Sequence, residues 1–268
     1  MSRLRISIIT PSYNQAQFIE RTIESVLGQT GPFDLEYLVL DGGSNDGTRE
    51  ILQKYNGRLY WESAPDKGQI DAINKGLRRA TGDIVGWLNS DDTLAPGALE
   101  KVAEAFTLRP DIEWVHGRCD IVDAEDRVIR KGVSAYKHWR CRRYSYSRLL
   151  TENFISQMTV FWRRGILEET GVLDPKLSLA FDYDLWLRFG KRGDPLYIPD
   201  RIAFFRWYET SKSGANFIDQ FAEDFAVARR HGLGGGWLRW RKQMKTAQIL
   251  AIYRLMRWRR AFGSGRAN

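Results

Sequence analysis

The feature that most constrains this chain is a cycle repeated four times in its first 110 residues: a short apolar run, a polar loop, then apolar residues at helical spacing. Leu4 to Thr10 is a β-branched run closed by Pro11, and Phe18, Ile19, Ile23, Val26 and Leu27 follow at helical steps before Gly28. Leu35 to Leu40 runs into Asp41-Gly42-Gly43-Ser44-Asn45-Asp46-Gly47, and Ile51, Leu52 and Tyr55 mark the next helix. Leu59 to Trp61 leads through Ala64-Pro65-Asp66-Lys67-Gly68 to Ile70, Ile73, Asn74 and Leu77. Ile84 to Leu88 leads into Asn89-Ser90-Asp91-Asp92, after which Pro96 is expected to open a helix reaching Leu108. Strands and helices alternating through such short connections dictate a mainly parallel sheet with helices on both faces. Ligands of such sheets bind beyond the carboxyl ends of the strands, so Thr10 to Asn14, Asp41 and Asp91 are predicted to meet on one rim.

Beyond Ile112 the pattern loosens into a smaller mixed half, with strands expected at Glu113 to Val115, Arg127 to Arg130, Met158 to Trp162 and Ile202 to Trp207. Asn216 to His231 reads as a helix, 232–236 as a flexible glycine joint and Trp237 to Phe262 as a separate helix. The expected division is one α/β domain over 1–231, with halves 1–115 and 116–231, followed by the joint and a basic tail at 237–268. No stretch of 18 apolar residues occurs, and the first apolar run stops at Pro11 without a small-residue cleavage site, so a cytosolic protein is expected. Cys119 and Cys141 lack zinc-ligand spacing and read as reduced thiols. The net charge of +8 is concentrated in the tail: eleven of the 41 basic residues follow Asp224 with no acid among them. The first 224 residues then hold 30 basic against 33 acidic residues, which argues against a nucleic-acid partner for the body.

Asp91 and Asp92 lie in a polar loop directly after an apolar strand, where a carboxylate can face a cleft. Mg²⁺ and Mn²⁺ take oxygen ligands and often use only one or two protein carboxylates, leaving room for substrate phosphates. The alternative is a turn shaped by Ser90 and Asp92. Asp41 precedes two glycines and is placed to accept hydrogen bonds from a flat base, whereas Asp46 belongs to the turn. Neither a GxGxxG nor a GxxxxGK[ST] loop occurs, which disfavours a dinucleotide dehydrogenase or a P-loop nucleotidase.

The segments IITPSYNQAQFIERTIESVLGQT, LEYLVLDGGSNDGT, SAPDKGQIDAINKGLRRATGDIVGWLNSDD with PGAL after it, and FDYDLWLRFG together resemble family 2 of the inverting glycosyltransferases, which have the GT-A fold. The resemblance implies a Rossmann-like, mainly parallel sheet, a nucleotide-sugar donor of the UDP-sugar class, an acceptor hydroxyl on a glycan or lipid-linked molecule, and Mn²⁺ or Mg²⁺. It implies that Thr10, Pro11 and Tyr13 line the nucleotide pocket and that Asp41 meets the base. Asp66 and Asp71 would lie near base and ribose. Asn89-Ser90-Asp91 stands at the family's DxD position, with Asp91 as metal ligand, and Asn89 and Ser90 contact the donor. Asp182 coincides with the family's catalytic base. Tyr208 stands where many relatives carry a histidine that assists the metal, and no metal role is assigned to it.

Single displacement needs a general base, because an acceptor hydroxyl is a poor nucleophile until its proton is removed. Asp184 is read instead as capping its helix and pairing with Arg188. His116, His138 and His231 have no clustered partners. Trp139, Arg140, Arg142, Arg143, Tyr144 and Tyr146 read as a solvated loop, with binding of a sugar or lipid diphosphate as the alternative. In the tail Trp237, Trp240, Met244, Ala247, Ala251, Leu255, Trp258 and Phe262 share one helical stripe among arginines and lysines. Such a helix suits an anionic membrane surface, which places the enzyme peripherally at the inner face in polysaccharide or glycolipid assembly; packing on the body or a second subunit is the alternative. The rival functions are a sugar-phosphate nucleotidyltransferase, disfavoured because PSYNQAQ supplies neither glycine nor base, and a silent membrane- or nucleic-acid-binding module.

Overall fold

A computed structural model describes residues 3–208, 217–244 and 246–247. The four predicted cycles are present: β1 (Leu4–Ser12), α1 (Ile19–Leu27), β2 (Phe33–Asp41), α2 (Thr48–Gln53), β3 (Tyr60–Ser63), α3 (Gln69–Arg79), β4 (Ile84–Trp87) and, after the two-residue β5 (Thr93–Leu94), α4 (Ala98–Leu108). β1 pairs in parallel with both β2 and β4, and β2 with β3. This central position explains why β1 is apolar on both faces. Ile6 and Ile8 pack under α1 and α4, and Ile9 packs with α3 on the opposite side. A Cβ at Gly76 would come 2.4 Å from Ile9 Cγ2, so only glycine lets α3 lie this close to β1. Pro96 stands just outside α4, not in its first turn, because Gly97 with φ 73° forms the N-cap.

The remainder comprises β6 (Trp114–Val122), β7 (Val128–Ile129), α5 (Lys131–Cys141), α6 (Tyr146–Thr151), a 3₁₀ turn at Gln157–Thr159, β8 (Phe161–Arg163), α7 (Ile166–Thr170), α8 (Phe181–Arg192), β9 (Leu196–Arg206) and α9 (Phe217–Arg230), with 237–244 also helical. The strands form one sheet in the order β3-β2-β1-β4-β8-β6-β9-β5, with β7 beside β6. β8 runs antiparallel to β4 and β6, which makes this half mixed as expected. β5 returns to pair with β9, Thr93 opposite Phe204, so a strand of the second half flanks the loop that carries Asp91.

α8 is buried almost all round through Phe181, Tyr183, Leu185, Trp186, Leu187 and Phe189. Trp186 stacks on Trp87 at 5.4 Å and on Trp114 at 6.3 Å, which ties the helix to β4 and β6. Phe181 lies 6.4 Å from Trp87, so the first turn of α8 is held beside the strand that ends in Asn89 to Asp92.

Two expectations change. The stretch 139–146 is the end of α5, a turn and the first residue of α6, and part of it packs on the body, while Trp139, Arg142 and Arg143 remain exposed. Arg140 is buried in an ion pair with Glu152 at 3.2 Å, Tyr144 meets Trp114 edge-on, and Tyr146 Oη donates to His231 O at 3.1 Å. Trp139 is exposed, with Arg143 over its ring. The glycine joint is likewise a packed reversal: Leu233 N donates to Ala228 O at 2.9 Å, and Leu233 and Lys242 are buried. The start of the tail therefore rests on the body. Its stripe positions Ala251, Leu255, Trp258 and Phe262 lie outside the described residues. Both cysteines are free. Among the described residues no helix is long and apolar enough to cross a membrane.

Candidate active site

The carboxyl ends of β1, β2 and β3 are stitched together by backbone bonds, Gly42 N to Ser12 O at 2.8 Å and Ala64 N to Asp41 O at 3.0 Å. Asp41 is buried, and its carboxylate accepts from Ser44 N, Ser44 Oγ, Gly43 N and Ser63 Oγ. Four donors nearly fill a carboxylate's acceptor capacity, so Asp41 first of all folds the loop. Thr10 is fully buried and its hydroxyl pairs with Tyr37 Oη at 3.1 Å, which places it beneath the rim as a support. Pro11 is buried next to it, whereas Tyr13 is 62% exposed and projects from the rim. Asp66 accepts from Gly68 N at 2.7 Å and Asp71 from Lys67 N at 3.2 Å, so both shape the turn that enters α3. The Lys67 N–H and Lys75 hold the Asp71 carboxyl below its usual range.

The loop after β4 is held more firmly than a free polar loop. The buried Thr22 hydroxyl of α1 donates to the carbonyls of Ser90 (2.9 Å) and Asp92 (2.8 Å). Asp92 is buried and accepts from Arg206 N at 2.9 Å, which makes it structural. Burial and the neighbouring Asp91 push its carboxyl well up. Arg206 is itself 1% exposed and reaches Asp91 O, Asp123 O, Ala124 O and the Asp126 carboxylate, with Phe18 beneath its guanidinium. One side chain thus joins β9, the Asp91 loop and the β6–β7 turn.

Asn89 accepts from Gln69 Nε2 at 2.9 Å and donates to Gln157 Oε1 at 3.2 Å. An amide can do both at once, and it avoids a third carboxylate beside Asp91 and Asp92. That accounts for the departure from aspartate. Tyr208 Oη donates to Asp91 Oδ2 at 2.9 Å, and its ring lies 5.2 Å from Phe18. Tyr208 therefore orients the Asp91 carboxylate. Burial raises the Asp91 carboxyl above its usual value, against the opposing pull of the Tyr208 hydroxyl and the Arg206 guanidinium. Among the described residues no cluster of three His, Cys, Asp or Glu side chains has metal-holding geometry, so the protein would offer Asp91 as a single carboxylate. That donor set fits Mg²⁺ or Mn²⁺ sharing its shell with water and phosphate oxygens.

Asp182 stands in the first turn of α8, partly buried, with a hydrogen bond from the Asn153 side chain and Lys137 nearby. A helix N-terminus favours a carboxylate by only about 0.3–1 kcal/mol. Desolvation outweighs this and raises Asp182 to about 6, into the range of a general base. Asp184 does not cap the helix, which begins before it at Phe181. It pairs with Arg188 at 3.0 Å and, contrary to expectation, with the buried His231 at 2.8 Å. His116 is fully buried, and desolvation lowers it to about 3, so it stays neutral. His138 Nδ1 meets Tyr197 Oη. Sequence reading missed Arg206, Gln69, Gln157 and Asn153. Arg206 alone left a signal, since it lies four residues after Ile202 in an apolar strand register.

The pattern of Glycosyl transferase family 2 matches residues 7–171. The Bacillus subtilis (strain 168) protein provisionally named as the teichuronic acid biosynthesis glycosyltransferase TuaG is 32% identical over 72% of this chain and 74% of its own length. Chondroitin synthase of Escherichia coli is 31% identical over 70% of this chain. The chain spans less than half the length of several relatives, 27% in the case of that synthase. In fold it is similar to S. aureus TarS 1-349 solved with UDP-GlcNAc, with a TM-score of 0.65, 18% identity, and coverage of 92% of this chain and 72% of the other.

Proposed function

The chain belongs to glycosyl transferase family 2, and from that premise we propose that it transfers a sugar, with inversion, from a nucleotide-diphosphate sugar to an acceptor hydroxyl in surface-polysaccharide or glycolipid assembly. The observation that supports the reading is that the first turn of α8, which carries Asp182, lies with Phe181 against Trp87 of β4, the strand that leads into the Asp91 loop. Asp182 takes the hydroxyl proton while the acceptor oxygen bonds to the anomeric carbon and the bond to the diphosphate oxygen breaks. Mn²⁺ or Mg²⁺ at Asp91 would neutralise the leaving diphosphate. Tyr13 and the loops closed by Asp41, Asp66, Asp71, Asn89 and Ser90 receive the nucleotide. A UDP-sugar is the favoured donor. The test is a donor screen with Mn²⁺ or Mg²⁺ that reads release of nucleoside diphosphate; no release with any nucleotide sugar and any glycan or lipid-linked acceptor would sink the reading.

Tyr208→Phe keeps the ring contact with Phe18 and removes the bond that orients Asp91. Substitutions of this kind around a metal ligand typically weaken metal affinity by about 10–100-fold. The Mn²⁺ concentration for half-maximal rate is expected to rise by about that factor while the rate at saturating metal is largely kept. An unchanged Mn²⁺ titration would remove Asp91 from the metal assignment.

Peripheral membrane contact is the proposed location, supported by the tail's outer face: Trp237 is 66% exposed, Trp240 49% and Met244 52%. Leu238 and Lys242 face the body instead. Apolar burial and cationic attraction would act together on anionic headgroups. If the full chain and one ending at residue 235 sedimented equally with anionic vesicles, this location would be wrong.

A further inference from the structure

Positive charge is gathered on the body as well as in the tail. Between Asp126 and Glu152 the chain holds eight Lys or Arg and no acid, so the rest of the first 224 residues has 22 basic against 33 acidic residues. Three of the eight are occupied: Arg127 pairs with Asp123 and Glu125, Arg140 pairs with Glu152, and Arg130 lies over Trp207. Lys131, Arg142 and Arg143, at the two ends of α5, are exposed and form no ion pair among the described residues. The same helix presents Val133, Tyr136 and Trp139 at three-residue steps, 41%, 40% and 48% exposed. Of the ten large apolar side chains exposed among the described residues, these three and Trp237, Trp240 and Met244 of the tail make six. Exposed apolar side chains and basic charge thus coincide on both acid-free segments.

The two segments are anchored on the same element. Glu152, at the end of α6, pairs with Arg140 at 3.2 Å and accepts from Tyr136 Oη at 3.0 Å. Two residues earlier, Leu150 O lies 3.0 Å from Tyr183 Oη, which accepts from the buried Lys242 Nζ at 3.4 Å. The inner face of α5 reaches towards the candidate site. Lys137 Nζ donates to Ser156 Oγ at 3.2 Å and Cys141 Sγ to Phe154 O at 3.8 Å. The segment they touch, 153–157, carries Gln157, which bonds to Asn89, and Asn153, which bonds to Asp182. A helix with its side chains is about 10–12 Å thick, so only that distance separates the outer face of α5 from this segment.

We propose that the outer face of α5, formed by Val133, Tyr136 and Trp139 with Lys131, Arg142 and Arg143, is a second docking surface for an anionic lipid membrane. Tryptophan and tyrosine settle at the level of lipid headgroups, and Lys and Arg beside them meet anionic lipid. The proposal rests on the reading of a peripheral membrane enzyme, and adds that the lipid surface lies one helix away from the Asp182 side of the site. A lipid-linked acceptor then reaches the site from the surface on which α5 rests.

The test is sedimentation of the full chain with vesicles of phosphatidylcholine containing phosphatidylglycerol. Arg142→Gln with Arg143→Gln should lower the partition coefficient by about fivefold per charge, hence about 25-fold, and Trp139→Ser should lower it further. Added salt should shrink the loss caused by the arginine pair. These side chains are exposed, so the melting temperature should stay within about 1–2 °C of the wild type. Lys131→Gln, at the other end of the helix, should cost about fivefold and serves as the second variant if the first does not fold. Trp237→Ser with Trp240→Ser reads the tail separately. Wild-type binding by the folded α5 variants overturns the α5 surface and leaves the tail contact standing. A loss in the α5 variants with wild-type binding by the tail variant overturns the tail contact alone. A wild-type chain that does not sediment with anionic vesicles overturns both. If the α5 substitutions turn a wild-type dimer into a monomer and leave vesicle binding unchanged, the face belongs to a second copy of the chain and the proposal is wrong.

Discussion

Asp182→Asn is expected to lower the transfer rate by about 10²–10⁴-fold, the usual contribution of a general base, while nucleotide-sugar binding stays close to normal. The same variant should be more stable than the wild type at neutral pH. Asp182 is raised to about 6 in the fold from an ordinary value of 3.8. The folded state therefore holds the proton more tightly than the unfolded chain, and the stability this brings is complete below about pH 4 and lost as pH rises through about 6. Above that, ionised Asp182 costs on the order of 2–3 kcal/mol, which the neutral amide avoids. At about 2–4 °C per kcal/mol, the melting temperature at pH 8 should rise by several degrees, with the difference vanishing near pH 4. A variant that loses activity because it is misfolded would show the opposite sign. Wild-type activity should itself fall towards a tenfold loss per pH unit below about 6. Retained activity in a well-folded Asp182→Asn protein would end the assignment.

Arg206→Met should be the most damaging single change to stability described for this chain. The guanidinium is buried, donates to three carbonyls and one carboxylate, and sits beside Asp91 and Asp92. Methionine fills much of the volume but takes one donor from each of those four acceptors and removes the guanidinium that lowers both aspartates. Breaking a buried charged network by removing one partner typically costs about 3–5 kcal/mol. Denaturant unfolding should show a loss of that size, and nucleotide binding should weaken because the Asp91 loop is no longer tied to β9. A loss under about 1 kcal/mol would mean that the network adds little beyond packing.

The donor half was legible because its information is local. Each strand from β1 to β4 contains an apolar run that stops at a polar or turn-forming residue, and the helices after β1 and β3 repeat at helical spacing, so boundaries fall within about two residues. Helix α5 was not legible. Of its eleven residues only Ser134, Arg140 and Cys141 are buried, so it carries no apolar stripe to detect. The first half of β9 was hidden by Pro199, Asp200 and Arg201, where the strand shifts register against β6. Within the site the resemblance could nominate Asp91 and Asp182, because their motifs are contiguous. It gave no sign of Gln157 reaching Asn89, Glu223 receiving the N–H groups before α8, or Lys242 reaching Tyr183. These contacts join residues 43 to 68 positions apart, and nothing in the local sequence announces them.

The pairing of β5 with β9 has a consequence for how the protein comes into being. Thr93 meets Phe204, and Arg206 closes on Asp91 and Asp92, so the loop after β4 waits for partners more than a hundred residues downstream. During synthesis, at about 5–20 residues per second, the loop stays unfinished for several seconds after its own residues have been made. A chain cut after residue 171, where the family pattern ends, would hold every donor motif and still lack the strand that closes around them. Such a fragment should read as a glycosyltransferase by sequence and yet bind no nucleotide, because the rim is completed last.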